Sequence, residues 1–172
     1  MNDDFQTLAI TPEFPVDLMM LDRAYRSLQV KYHPDQFLLE SEQTLQEATL
    51  KASAINDAYR RLKTPLSAAE AFFAYQFDPE YLMHVTGLSE FLFYMLDIGE
   101  KIELAASKKD LEQLNHLSDE LHQKIDQNYQ NLIDGFSEQD QEKTGLAITH
   151  WKYLKKALDT LEEKIGIFTL AL

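Results

Sequence analysis

No cysteine occurs in the chain. That excludes disulfides, thiolate zinc sites, cysteine nucleophiles and any cysteine-ligated iron–sulfur cluster on this protein. Glycine and proline are scarce, five of each in 172 residues, which disfavours an all-β chain rich in turns. Basic residues are in deficit: 16 Lys and Arg stand against 29 Asp and Glu, a formal net charge of −13. Such a chain neutralises phosphates poorly and gains little on anionic lipid, so neither nucleic acid nor a membrane is an expected partner. No apolar run approaches the roughly 18 residues of a membrane span. The start, Met1-Asn2-Asp3-Asp4, lacks the basic and apolar regions of a secretory signal. The expected location is the cytoplasm. The chain has no glycine-rich phosphate loop, and no nucleophile, base and orienting group converge, so it is not expected to be an enzyme.

What is abundant points to helices: Leu, Ala, Glu, Gln and Lys. After a short apolar stretch, Phe5 to Ile10, and the break Thr11-Pro12-Glu13-Phe14-Pro15, a segment runs from about Val16 to Tyr32. Leu18, Leu21, Tyr25, Leu28 and Tyr32 recur there at spacings of three and four, the mark of an amphipathic helix. Arg23 and Arg26 fall on the opposite face, with Lys31 on its edge. His33, before Pro34, ends the helix, because proline disfavours the α region in the residue before it. A second helix is expected from about Ser41, with the stripe Leu45, Ala48, Ala52, Ile55, Tyr59 and Leu62. The two make an antiparallel hairpin, followed by a short helix over Leu66 to Tyr75.

Residues 77–87, with Pro79 and Gly87 and no clear period, are expected to be a linker. Three further stripes follow. They are Leu88, Phe91, Met95, Ile98, Ile102 and Ala105; then Leu111, Leu114, Leu117, Leu121, Ile125 and Leu132; then Ala147, Trp151, Leu154, Leu158, Leu161 and Ile165. Gly135 is expected just past the end of the second of these helices and Ser137 at the start of the third. The expected architecture is all-α: an N-terminal domain over 1–76 and a C-terminal three-helix bundle over 88–172. The acidity is uneven, with seven basic and eleven acidic residues in 1–75 against nine and eighteen in 76–172.

His84, His116, His122 and His150 show no i,i+4 pair, and no acid cluster completes a site, so no metal is expected. Trp151 is expected in the core. Glu138, Asp140 and Glu142 read as a solvated helix start. The first bundle helix is apolar beyond its core stripe: Leu92, Phe93 and Leu96 lie well off it, bordered by Asp97 and Glu100, and Tyr153 lies off the third stripe. Exposed apolar residues rimmed by acids are expected of a partner site.

A His-Pro-Asp tripeptide alone means little. Here His33-Pro34-Asp35 follows an amphipathic helix with a basic outer face ending in Lys31-Tyr32 and precedes an antiparallel helix. That arrangement resembles a J-domain. The resemblance implies docking on the nucleotide-binding domain of a DnaK-type chaperone and stimulation of its ATP hydrolysis. His33, Pro34 and Asp35 match the signature, and Arg23, Arg26 and Lys31 the docking face. Gln36 stands where many J-domains have Lys. Over its whole length the chain resembles the HscB family of iron–sulfur cluster assembly co-chaperones. The resemblance rests on Phe5, Leu8 and Phe14, on Ala54-Ile55-Asn56-Asp57-Ala58-Tyr59, on Leu62-Lys63-Thr64-Pro65-Leu66 with Ala69-Glu70, and on Leu161-Glu162-Glu163-Lys164. It implies HscA as the ATPase partner and IscU as the client. It places Leu92, Phe93, Leu96, Asp97, Glu100 and Tyr153 on the client face. Leu104 departs from that pattern, where an acid is usual, although Glu103 is adjacent. A J-domain protein with a different client is the alternative.

Overall fold

The computed structural model of the chain describes residues 3–170, the side chain of Leu170 apart, and every regular element among them is helical. The α-helices are α1 (Asp4–Leu8), α2 (Leu18–Tyr32), α3 (Glu42–Lys63), α4 (Pro65–Gln76), α5 (Ser89–Lys108), α6 (Leu111–Glu138) and α7 (Gln141–Leu170). Single 3₁₀ turns cover Pro34–Phe37 and Pro79–Met83. No helix among the described residues is long and apolar enough to cross a membrane. The chain divides into two compact units, one ending at Asp78 and one starting at Pro79.

In the first unit the helix starts are written in short polar side chains. Asp3 accepts from Phe5 N at 2.9 Å, Asp17 from Met19 N at 2.8 Å, and Ser41 from Thr44 N at 3.1 Å. Each satisfies amide groups that the first turn leaves without a partner, worth about 1 kcal/mol apiece. Pro65 opens α4, where a missing N–H costs nothing. The core is Phe5 and Leu8 from α1, Leu21 from α2, Ile55, Ala58 and Leu62 from α3, and Ala68 from α4. Full burial of each large apolar side chain contributes about 1.5–3 kcal/mol. Of the α2 stripe, Leu21 is fully buried, Tyr25, Leu28 and Tyr32 pack partly on the core, and Leu18 is exposed. The first turn of α2 thus lies beyond the reach of the core. Asp4 is buried and bonded through both oxygens to Arg61, at 2.7 Å from Nε and 2.5 Å from Nη2, which pins α1 to α3.

The second unit packs α5, α6 and α7 around Ile98, Ile102, Leu114, Leu117, Leu121, Leu154, Leu158 and Leu161. Asp110 caps α6 by accepting from Gln113 N at 3.0 Å, and Asp140 Oδ1 accepts from Lys143 N at 2.9 Å at the start of α7. Between α6 and α7, buried Asn128 donates to the Ala147 carbonyl at 2.7 Å, and Tyr129 meets the edge of buried Trp151.

One boundary differs from expectation. Gly135 does not end α6, and Ser137 does not start α7. The helix runs on to Glu138 and stops at Gln139, in the left-handed region at φ 55°. Gly135 is buried inside it, where a Cβ would stand 2.6 Å from Thr144 Oγ1. The glycine permits a close approach of two helices rather than a turn. Within 77–87, Phe77 N still bonds to Phe73 O at 2.8 Å, and Tyr81 of the 3₁₀ turn lies against Gly145 of α7.

Candidate functional site

At the tip of the first unit's hairpin, His33 ends α2 and begins the 3₁₀ turn, with φ −62° and ψ 127°. This extended geometry is what a following proline favours. His33 Nδ1 accepts from Asp35 N at 3.3 Å, so in the neutral ring the proton sits on Nε2. Asp35 Oδ2 is 3.5 Å from the same nitrogen, a contact that becomes an ion pair only when the ring is protonated. Both side chains are open to solvent, 51% and 76% exposed. A recess of about 390 Å³ beside them is lined by Gln29, Val30, His33, Asp35 and Gln36.

The hairpin behind this tip is clipped by polar and aromatic contacts. Tyr25 and Tyr59 stack at 4.0 Å, Tyr59 donates to Asp22 at 2.7 Å, and Tyr25 and Gln29 both donate to Asn56 Oδ1. These hold α2 in register on α3 and leave Arg23, Arg26 and Lys31 exposed on the outer face. Lys51 of α3, which helix-by-helix reading had not singled out, reaches the same end: its Nζ lies 4.2 Å from the Tyr32 ring centroid. Hydrogen bonding with Lys51, and then with Lys31, holds the Tyr32 hydroxyl below its ordinary pKa.

The second unit carries an open groove of about 480 Å³ between α5 and α7. Leu92, Met95, Leu96, Gly99 and Ile102 line it from α5, and Tyr153, Ala157 and Thr160 from α7. Leu96 is 65% exposed, Tyr153 42% and Leu92 36%, so the groove presents largely apolar surface to solvent. Gly99 and Ala157 keep its walls low. Phe91 of α5 stacks on His150 at 3.8 Å and stands edge-on to Tyr153. Burial lowers the His150 pKa from its ordinary value.

Of the residues singled out from sequence, Leu92, Leu96 and Tyr153 meet at this groove. Phe93, 72% exposed, stands outside its lining, as do Asp97, Glu100 and the exposed Leu104. Asp97 is paired with Lys101 at 2.6 Å, while Glu103 lines the groove and pairs with Lys164 of α7 at 2.9 Å.

Comparison with known proteins bears on both units. A family model described as the HSCB C-terminal oligomerisation domain matches residues 89–162. A co-chaperone protein HscB homolog of Neisseria meningitidis serogroup A is 31% identical over 157 residues, covering 91% of this chain and 95% of that protein. The chain belongs to the HscB co-chaperone family. In fold it is similar to the chaperone HscB from Vibrio cholerae, with a TM-score of 0.75 at 24% identity over 94% of this chain and 96% of that one. It is also similar to human co-chaperone protein HscB, with a TM-score of 0.79 at 23% identity, covering 100% of this chain and 84% of the other. The HscB-type fold, a J-domain followed by a helical C-terminal domain, is thus the frame that carries both sites.

Of the remaining groove residues, Met95 and Ile102 belong to the expected core stripe, Glu103 enters the sequence reading only as the neighbour of Leu104, and sequence reading misses Gly99, Lys156, Ala157 and Thr160. The α7 members stand at 153, 156, 157 and 160, the same three-four spacing as a core stripe, displaced round the helix.

Proposed function

We propose that this chain is a co-chaperone of cytoplasmic iron–sulfur cluster assembly. Its first unit stimulates ATP hydrolysis by a DnaK-type chaperone, HscA, and its second unit holds and delivers the scaffold protein IscU. The observation that carries the reading is the exposed His33-Pro34-Asp35 turn, set at the end of a helix whose outer face bears Arg23, Arg26 and Lys31. The ATP is hydrolysed on the partner. This chain contributes docking: its cations steer it onto an acidic surface, Asp35 offers a carboxylate for a charge-assisted bond with a partner arginine, and Pro34 fixes the turn before contact, reducing the entropy lost on binding. Membership of the HscB family supports the client assignment. Leu92, Leu96 and Tyr153 form the apolar seat, with Phe93, Asp97 and Glu100 at its border.

The test is steady-state ATP hydrolysis by purified HscA with this protein, with and without IscU. The expected result is synergy between the two, lost in His33→Gln. Leu96→Asp is expected to weaken the response to IscU by about tenfold or more, as for a central interface residue, while sparing stimulation without client. Stimulation indifferent to IscU refutes the client assignment; no stimulation refutes the co-chaperone reading itself. The description of the matching family model as an oligomerisation domain favours a second occupant for the groove, another copy of this chain. Sedimentation of the protein alone, with Leu96→Asp beside it, decides between them.

A further inference from the structure

We propose that Lys156 of α7 sets the specificity of the groove: it selects a client segment that carries a carboxylate among its apolar side chains. The inference rests on the reading of the groove as the client seat. Two charged side chains, Glu103 and Lys156, belong to its lining. Glu103 is neutralised across the groove by Lys164 of α7, at 2.9 Å and 61 residues further along the chain. The same offset sets Tyr153 level with Leu92, Lys156 with Met95 and Thr160 with Gly99. The Glu103–Lys164 pair therefore crosses one end of the groove. Lys156 stands partway along it, about one turn beyond Tyr153.

Lys156 is exposed and makes no ion pair among the described residues. Lys63, Lys108, Lys109 and Lys124 make none either, but none of them lines the groove. Place, rather than charge alone, sets Lys156 apart. Asp159, one turn along the same helix, is bonded to Lys155, and Asp97 of α5 to Lys101. While the groove is open, water solvates the ammonium and the lysine stem can lie along the apolar wall. A partner that covers Leu92, Leu96 and Tyr153 removes that water. An ammonium buried without a counter-charge is strongly unfavourable. A purely apolar occupant therefore meets a penalty at Lys156, and one with Lys or Arg there meets repulsion. One with Asp or Glu gains a charge-assisted bond. A second copy of this chain, packed groove to groove, brings no free carboxylate from its own lining, because Glu103 is already engaged. Apolar contact supplies the affinity, and Lys156 decides which apolar segment receives it.

The experiment measures binding of the full-length protein to purified IscU by calorimetry. Lys156→Ala is expected to raise Kd about three- to fivefold, the range of a single charge pair. Lys156→Glu is expected to raise it about tenfold or more through repulsion, and Lys156→Arg to bind as the parent. Surface acids of IscU are then replaced by lysine one at a time. One such variant is expected to bind Lys156→Glu more tightly than it binds the parent, a reversal that a damaged fold cannot produce. Parental affinity in Lys156→Glu, tighter binding in Lys156→Ala, or no IscU variant that reverses the preference overturns the Lys156 contact; a Leu96→Asp protein that still fails to bind then leaves the groove standing as the client seat. A Lys156→Glu substitution that disperses a self-associated parent and leaves IscU binding intact gives the groove to a second copy and overturns the proposal. Failure of the parent to bind IscU overturns the client assignment and this contact with it.

Discussion

Replacing Gly135 by Ala tests the packing of α6 on α7, and its sign is not the one a helical glycine normally carries. In a helix interior the exchange favours Ala by about 0.5–1 kcal/mol. Here the new Cβ would meet Thr144 Oγ1 at 2.6 Å, Thr144 N at 3.2 Å and Thr144 Cα at 3.3 Å. The hydroxyl cannot swing away freely, because it bonds to the Asp140 carbonyl at 2.6 Å and Thr144 is fully buried. The other two atoms are backbone. Relief therefore requires the two helices to separate, and overpacking of this kind costs about 1–3 kcal/mol. The net expectation is a loss of about 1–2 kcal/mol, or roughly 5–15 °C in the melting temperature of a domain of this size. Gly99 is the internal control: it also lies mid-helix, but nothing stands within 4 Å of its Cβ position. Gly99→Ala is expected to raise the melting temperature by a few degrees. The assay is thermal unfolding followed by circular dichroism, without client. Equal shifts in the two variants, or a Gly135→Ala protein as stable as the parent, would refute the reasoning. Adding Thr144→Ala to Gly135→Ala removes one of the three contacts and is expected to recover part of the loss.

Two further perturbations probe single contacts. Asp4 is 7% exposed while the Arg61 side chain is 51% exposed, so the pair should respond asymmetrically to truncation. Arg61→Ala, which strands a buried carboxylate, is expected to cost about 3 kcal/mol, and Asp4→Ala, which returns a half-exposed guanidinium to water, about 1 kcal/mol, read from urea midpoints; equal losses would sink the argument. His150 has its pKa lowered by burial, its Nε2 has no hydrogen-bond partner, and its ring stacks on Phe91. The folded state therefore binds fewer protons there than the unfolded chain. The resulting contribution is complete above about pH 6.5 and is lost as the pH falls below it. The difference in urea midpoint between the parent and His150→Phe should change between about pH 7.5 and pH 5.5; a constant difference refutes the assignment.

Periodicity located the buried faces of α3, α6 and α7 because those faces meet partners along most of their length. It misplaced Leu18, since a stripe continues to the helix end whether or not the core does. Gly135 looked like a helix stop because left-handed C′ positions are where glycine is commonest. Its actual requirement, the approach of Thr144, is set by a second helix and has no local signature. The off-stripe residues of α5 were visible on a helical wheel, but a wheel treats one helix at a time. It could show neither that Tyr153, Ala157 and Thr160 face Leu92 and Leu96 across a groove nor that Phe93 stands outside it. Lys51 escaped for the same reason: its neighbour Tyr32 belongs to the other arm of the hairpin.

The two candidate sites differ in how their charges are disposed, and that difference separates the forces by which each would bind. At the hairpin, Arg23, Arg26, Lys31 and Lys51 are exposed and make no ion pair among the described residues. Contact there is long-ranged and is screened over about 8 Å at physiological ionic strength. At the groove, Asp97 is already neutralised by Lys101 and Glu103 by Lys164. What remains for a partner is apolar surface on Leu92, Leu96 and Tyr153, with Lys156 in the lining and Glu100 near it, neither of which makes an ion pair among the described residues. Burying that surface gains about 25 cal/mol per Å² whatever the salt. An acidic protein that meets one partner through unpaired cations and another through grease can hold both without either competing for the other's contacts.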